Sequence, residues 1–163
     1  MNKLLVLLTF GLAAIIGFPC VALAQQTGFT QVQPVNRSGI QAMITFSDDG
    51  DALEVIGVAT GLDPTQTYVT LLYDVGSLPG GPTACLPTDN SLTFTQMVVG
   101  LWVVHESGIG TMTATKTGGS YVALDDFGTT SVRLDTQPGQ PLPSAPDPNR
   151  FILQACGKVH IAP

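Results

Sequence analysis

The stretch that decides the fold is SGIQAMITFSDDGDALEVIGVAT, residues 38–60. Apolar and polar residues alternate in its first half, which is the period-2 pattern of a half-buried strand. Asp48-Asp49-Gly50-Asp51 then favours a solvated turn, and residues 52–60 resume as a strand whose alternation slips near Gly57, as it does at a β-bulge. The stretch therefore predicts a β-hairpin.

Turn signals and short β-leaning segments continue along the rest of the chain. Gly61-Leu62-Asp63-Pro64 is a second turn, and two loops at residues 74–90 and 137–149 are rich in proline. The further predicted strands are 67–73, 92–105 as one long strand or two short ones (92–97 and 98–105), 111–116, 122–124, 131–134 and 151–161. About eight close strands without helical periodicity predict an all-β fold, an antiparallel Greek-key β-sandwich or flattened barrel.

Composition excludes several classes of protein. Residues 25–163 contain five basic and 12 acidic residues, a net charge of −7, which argues against nucleic acid as a partner. The same residues include 16 Gly, 11 Pro and 18 Thr. This turn-dense, β-leaning composition argues against a helical bundle and against disorder.

Residues 1–24 resemble a secretory signal peptide. A positive end at Met1–Lys3 precedes the apolar run Leu4–Ile16, and Ala22-Leu23-Ala24 supplies small residues before Gln25. We expect cleavage after Ala24 and a single domain, residues 25–163, in the periplasm or outside the cell. The apolar run is too short to span a membrane, and no later stretch of about 18 apolar residues follows, so no membrane association is expected after cleavage. Lipidation of Cys20 is the alternative, but bulky residues precede it.

Only Cys85 and Cys156 remain after the predicted cleavage. In an oxidising compartment we expect them to form a disulfide. A metal or redox role is the weaker alternative, because they do not form a CxxC motif and two thiols do not complete a zinc site.

Residues that could bind metal or carry acid–base chemistry are few. The chain has two histidines, His105 and His160, and the second lies on the polar face of the last predicted strand. His105, Met97 and Met112 lie on successive predicted strands and together offer imidazole and thioether ligands to Cu(I). Packing of the methionines in the core is the competing interpretation.

The C-terminal segment ACGKVHIAP, residues 155–163, resembles the closing strand of the copper/zinc superoxide dismutases. In that family, a cysteine in the long loop after the fourth strand forms a disulfide with the final strand. Here Cys85 lies in such a loop, after Gly80-Gly81-Pro82-Thr83-Ala84. Residues 39–46 and 53–60, with the turn 61–64, are similar to its second and third strands, and residues 99–101 and 108–115 are similar to its middle. The resemblance implies the eight-stranded Greek-key β-sandwich of that family and a Cys85–Cys156 bridge.

The same comparison implies that the family's metal ligands are missing. Residues 68–74 contain no histidine where the family has a copper-binding His-x-His pair, and residues 86–92 contain none where it has zinc ligands. Gly100-Leu101-Trp102 replaces a segment with a zinc-binding aspartate, and Val132-Arg133-Leu134-Asp135 corresponds to the segment with the last copper histidine. The resemblance therefore assigns this chain no metal and no catalytic residue.

The family's superoxide-steering arginine, just before the final Ala-Cys-Gly, is also absent. Leu153 or Gln154 stands there, and Arg150 lies too far upstream. We expect a non-catalytic, exported binding or structural module, a pseudoenzyme whose partner is an extracytoplasmic protein or a small ligand. The alternatives are residual superoxide dismutase-type oxidoreductase activity with copper held through His105 and the methionines, or a copper or small-ligand carrier. A chordin-type repeat fits only the middle of the chain. Oligomeric state and ligand stay open.

Overall fold

The structure, a computed structural model, describes residues 25–74, 85, 91–145 and 147–163. The predicted signal peptide 1–24 and most of the predicted loop 74–90 lie outside the described residues.

The described chain is almost entirely β-structure. A single-turn helix, α1, spans Phe94–Met97, and two 3₁₀ turns span Gly118–Ser120 and Leu124–Asp126. The strands are β1 Gln26–Pro34, β2 Gln41–Asp48, β3 Ala52–Thr60, β4 Thr67–Asp74, β5 Val98–Leu101, β6 Val103–Val104, β7 Gly110–Thr117, β8 Phe127–Asp135, β9 Phe151–Lys158 and β10 His160–Ile161.

These strands form one antiparallel sheet that nearly closes into a barrel. The order is β5-β4-β8-β9-β1-β2-β3-β7-β6, with β10 beside β1. The two edge strands, β5 and β6, are consecutive in the chain and joined by Trp102, whose N–H donates to the Tyr68 carbonyl at 3.0 Å. The prediction of an all-β antiparallel fold is thus confirmed.

The hairpin predicted at residues 38–60 is also present, but without the predicted bulge. β2 and β3 pair without a register shift from Gln41 opposite Thr60 to Asp48 opposite Leu53. Gly57 is required for space, because a Cβ at this position would lie 2.7 Å from the Trp102 ring. The prediction of a bulge at Gly57 was wrong, because a glycine stands there to make room for the Trp102 ring and not to accommodate an extra residue.

Three other predicted segments differ in the structure. Residues 92–97 are not a strand, since Thr93 and Gln96 form a capping box that starts α1. Residues 122–124 are not a strand either, and β8 begins at Phe127, earlier than predicted. The predicted strand 151–161 breaks at Val159, whose N–H donates to the Gly128 carbonyl.

One strand was not predicted from the sequence. β1 turns Gly28, Thr30 and Val32 inward and leaves Phe29 exposed, so Val32 is its one large apolar residue on the buried face. Hydrophobic alternation therefore gave no strand signal there.

The two halves of the barrel are covered differently. A main core fills the barrel, and a second apolar cluster with Cys85, Phe94, Met97 and Phe151 lies against β4 and β8. These two strands are consequently buried on both faces, whereas β1, β2, β3 and β7 largely alternate between buried and exposed residues.

Candidate functional site

The Cys85–Cys156 disulfide joins the segment after β4 to the last long strand, β9. Its Cα atoms are 6.1 Å apart and its cysteines are 71 positions apart in sequence. The predicted bridge is confirmed. Cys85 is fully buried in the second cluster, so the disulfide holds this residue against the outer side of the sheet.

Arg133 of β8 lies beside this disulfide and is buried. The pairing of β8 with β9 shifts register between Val132 and Arg133, the kind of irregularity that re-aims a side chain. Its guanidinium donates to the Phe151 carbonyl at 2.7 Å, to the Cys85 carbonyl and to the Tyr73 hydroxyl at 2.8 Å. The planar guanidinium thus joins β4, β9 and Cys85 through separate nitrogens. The single nitrogen of a lysine could not make these three contacts at once.

The charge of Arg133 is held by neutral groups. A fourth hydrogen bond goes to the Ser131 hydroxyl at 3.2 Å, so every hydrogen-bond acceptor described for the guanidinium is an uncharged oxygen. Burial raises the pKa of Tyr73, although the nearby Arg133 charge opposes that shift. The guanidinium therefore places a buried cation in this part of the sheet.

A second buried arginine fastens the proline-rich loop 137–149. Arg150 makes two hydrogen bonds to the Asp135 carboxylate, at 2.8 and 3.0 Å. It also donates to the carbonyls of Gln140 and Pro141. Burial opposes ionisation of Asp135, but the Arg150 hydrogen bonds and the Gln137 N–H hold its pKa below the usual range. The pair explains how this proline-rich loop is held.

Lys116 of β7 is also buried. Its ammonium group donates to the Thr95 carbonyl at 3.1 Å and to the Val98 carbonyl, which places it under α1. Burial lowers the pKa of Lys116 to about 8. Sequence reasoning missed the roles of Arg133, Arg150 and Lys116, and the only available signal was that each stands in or beside a strand of a chain with very few basic residues.

The predicted copper ligands are not brought together. Met97 belongs to the second cluster and Met112 to the main core, while His105 is exposed at the turn before β7. His160 lies elsewhere, stacked on Phe29 with ring centroids 5.5 Å apart. Within the described residues, no group of three or more His, Cys, Asp or Glu side chains could hold a metal ion. Copper binding through His105, Met97 and Met112 stays a prediction.

The acidic turn after β2 is more structured than a solvated tip. Asp48 is buried and accepts hydrogen bonds from the Tyr121 hydroxyl at 2.9 Å and the Leu124 N–H at 2.8 Å. Burial and the Asp48 carboxylate raise the pKa of Tyr121 to about 12. Asp49 instead accepts the N–H groups of Asp51 and Ala52, which lower its pKa. The carboxylates therefore shape the turn.

Two shallow depressions lie on the outer side of β1, β2 and β3. Each has a volume of about 390 Å³, one beside Phe29 and Ile56 and the other beside Met43 and Val58. Both depressions lie on the same sheet face, which none of the described loops covers.

No protein-family model matches the chain, and a search of curated proteins found no match either. In the described part of the chain, no helix is both long and apolar enough to cross a membrane.

Proposed function

We propose that this chain is an exported, non-catalytic member of the superoxide dismutase-like class that works as a binding or structural module. Export rests on residues 1–24, and the class rests on the resemblance of residues 39–163. The nearly closed antiparallel barrel and the bridge from Cys85 to the last long strand support the proposed Greek-key arrangement of that class.

The observation that carries the proposal is the buried guanidinium of Arg133. By the resemblance, residues 132–135 correspond to the segment with the last copper histidine, and here a guanidinium fills that position, with each of its three nitrogens donating a hydrogen bond. A buried positive charge repels a metal cation, and it occupies the space and the oxygen atoms around it. The residues present therefore do not fit the family's copper site.

The neighbouring strand supports the same conclusion. β4 corresponds to the strand with the family's His-x-His pair, and its Val69, Leu71 and Tyr73 belong to the second apolar cluster. Copper and zinc sites of this kind need several imidazoles with hydrogen-bonded outer partners. This strand supplies packing surface where the chemistry would require ligands.

The proposal is tested by metal content and turnover of residues 25–163, purified with the disulfide intact. We expect well under one copper or zinc per chain after incubation with both metals and dialysis, and no loss of superoxide above that of buffer. Arg133→His is the informative variant, because it returns one imidazole without the others and is expected to stay metal-poor. One tightly held copper per chain with superoxide turnover would overturn the proposal, as would copper that is lost on His105→Ala.

Export is tested separately by mass spectrometry of the protein recovered outside the cytoplasm of an expressing bacterium. We expect the chain to begin at Gln25. A chain that stays in the cytoplasm and begins at Met1 would contradict the signal-peptide assignment.

A further inference from the structure

One face of the barrel is not covered by any of the residues that the structure describes. The outward side chains of β1, β2, β3 and β7, at alternate positions in 27–33, 41–47, 54–60 and 111–117, form a continuous surface that we name the bare face. The opposite half of the barrel has its outer side buried under Cys85, α1 and Phe151. In the described part of the chain, one outer sheet face is therefore covered by other residues and the opposite one is exposed.

The bare face carries a continuous apolar centre. Phe29 and Ile56 both pair with Thr45, and Met43 pairs with Val58 one row away. These four side chains are 41–53% exposed, and Val103 of the adjoining edge strand is 64% exposed. Single exposed apolar residues are ordinary, but a group across neighbouring strands marks an interaction surface.

The rest of the bare face is polar without being charged. Of its 16 outward positions, eight are threonine or serine, three are glutamine and four are apolar, which leaves Glu54 as the one ionisable side chain among them. The imidazole of His160, on β10, stacks on Phe29 at the edge of this face. Hydroxyl and amide groups each donate and accept hydrogen bonds, so a surface made of them is complementary to itself.

Charge favours a second copy as the occupant. The chain is acidic, with a net charge of −6 at pH 7, so two copies repel each other at most orientations. A face with one carboxylate in 16 positions is where two copies can approach with little repulsion. A positively charged partner could form an ion pair only with Glu54 among the residues of this face, so charge does not favour such a partner here.

The size of the face is also sufficient. Four strands about 4.8 Å apart and about eight residues long, at about 3.3 Å per residue, give a face of roughly 500 Å². Two such faces together bury roughly 1,000 Å², which is enough for a weak dimer but less than the area of stable interfaces, about 1,200–2,000 Å².

We propose that the protein forms a twofold-symmetric dimer in which the bare face of one copy docks on the bare face of another. Such an interface is isologous, so the apolar centre of each copy meets that of its partner. The inference rests on the proposed function only in taking binding as the work of the domain. A metal-free monomer would be consistent with the proposed function but would overturn the proposed dimer. A dimer that binds copper and consumes superoxide would support the dimer but would overturn the proposed function.

Sedimentation equilibrium of residues 25–163, over protein concentrations from about 1 to 300 µM, tests the dimer. We expect a monomer–dimer equilibrium that tightens as salt rises from 20 to 500 mM, because screening removes the repulsion between acidic copies. Ile56→Lys is expected to weaken dimerisation at least tenfold. Leu142→Lys is the matched control, since Leu142 is equally exposed at 53% but lies in the loop after β8.

The double variant Ile56→Thr with Val58→Thr guards against a folding defect, because threonine suits an exposed strand position. It should keep the circular dichroism and disulfide of the unmodified protein and still dimerise at least tenfold more weakly. A protein that stays monomeric at 300 µM would overturn the proposal. So would a dimer that survives both bare-face changes or dissociates on Leu142→Lys.

Discussion

Replacing Arg133 by methionine tests whether the buried guanidinium helps to hold Cys85 and β9 in place on the sheet. The change keeps an extended side chain but removes donors from the carbonyls of Phe151 and Cys85. The Tyr73 and Ser131 hydroxyls keep a bond to each other at 3.0 Å, so two acceptors are orphaned rather than four.

The expected loss follows from those two carbonyls. A buried polar group left without its partner costs about 1–3 kcal/mol, so two cost roughly 2–6 kcal/mol. Part of this is offset, because burying a cation itself costs several kcal/mol and methionine removes that cost. We therefore expect Arg133→Met to lower the free energy of unfolding by about 2–3 kcal/mol.

Arg133→Lys is the sharper comparison. It keeps a buried charge but replaces the planar fork by one nitrogen, which cannot reach all the oxygens at once. We expect it to destabilise at least as much as Arg133→Met, and to recover stability as pH rises, because a buried lysine can lose its proton. Urea unfolding of the oxidised protein, followed by the fluorescence of Trp102, measures all three proteins. The reasoning is refuted if Arg133→Lys stays within about 0.5 kcal/mol of the unmodified protein, or if Arg133→Met costs nothing.

Three further changes probe other parts of the barrel. Lys116 has a pKa of about 8 in the folded protein against 10.5 in the unfolded chain, so the unfolded chain holds the proton more tightly. The free energy of unfolding should therefore rise by roughly 2 kcal/mol from pH 7.5 to 9.5. Urea titrations across that range should show the rise flattened in Lys116→Met, and an equal slope in both proteins would contradict the assignment. Thr30 has a buried hydroxyl with no hydrogen-bond partner among the described residues, so Thr30→Val should raise the thermal midpoint and add about 1 kcal/mol to the free energy of unfolding. A lower midpoint would mean that the hydroxyl has a partner. The double variant Cys85→Ala with Cys156→Ala should lose about 4 kcal/mol by chain entropy, and a loss below about 1 kcal/mol in urea would refute that account.

The part of the fold that could be predicted depends on local alternation. β2 and β3 were recognised because their inward residues are apolar and their outward residues mostly polar, and Asp48 to Asp51 supplies the turn. β1 was missed because Thr30 points into the barrel while Phe29 points out. Residues 92–97 were assigned wrongly because a capping box of two side chains, Thr93 and Gln96, outweighs their β-leaning composition.

The candidate sites were less accessible to sequence reasoning than the fold. The disulfide followed from a count of cysteines, which needs no geometry. Arg133 gave no such signal, because its partners Tyr73, Cys85 and Phe151 are distant in sequence and meet only after β4, β8 and β9 have paired. The sequence placed the two methionines and His105 on successive predicted strands. In the structure, Met97 and Met112 belong to different apolar clusters and His105 is exposed at a turn.

The sequence by itself determined that this chain is all-β, acidic, poor in histidine and able to form one disulfide. Those properties depend on residue identity and on the period of two along a strand. Only the tertiary structure decided which sheet faces the described residues cover. It also placed the buried cation of Arg133 beside the disulfide and left the bare face without cover from those residues. The physical reason is that a strand pattern shows which residues share a face, while the cover over that face comes from residues far away in the chain.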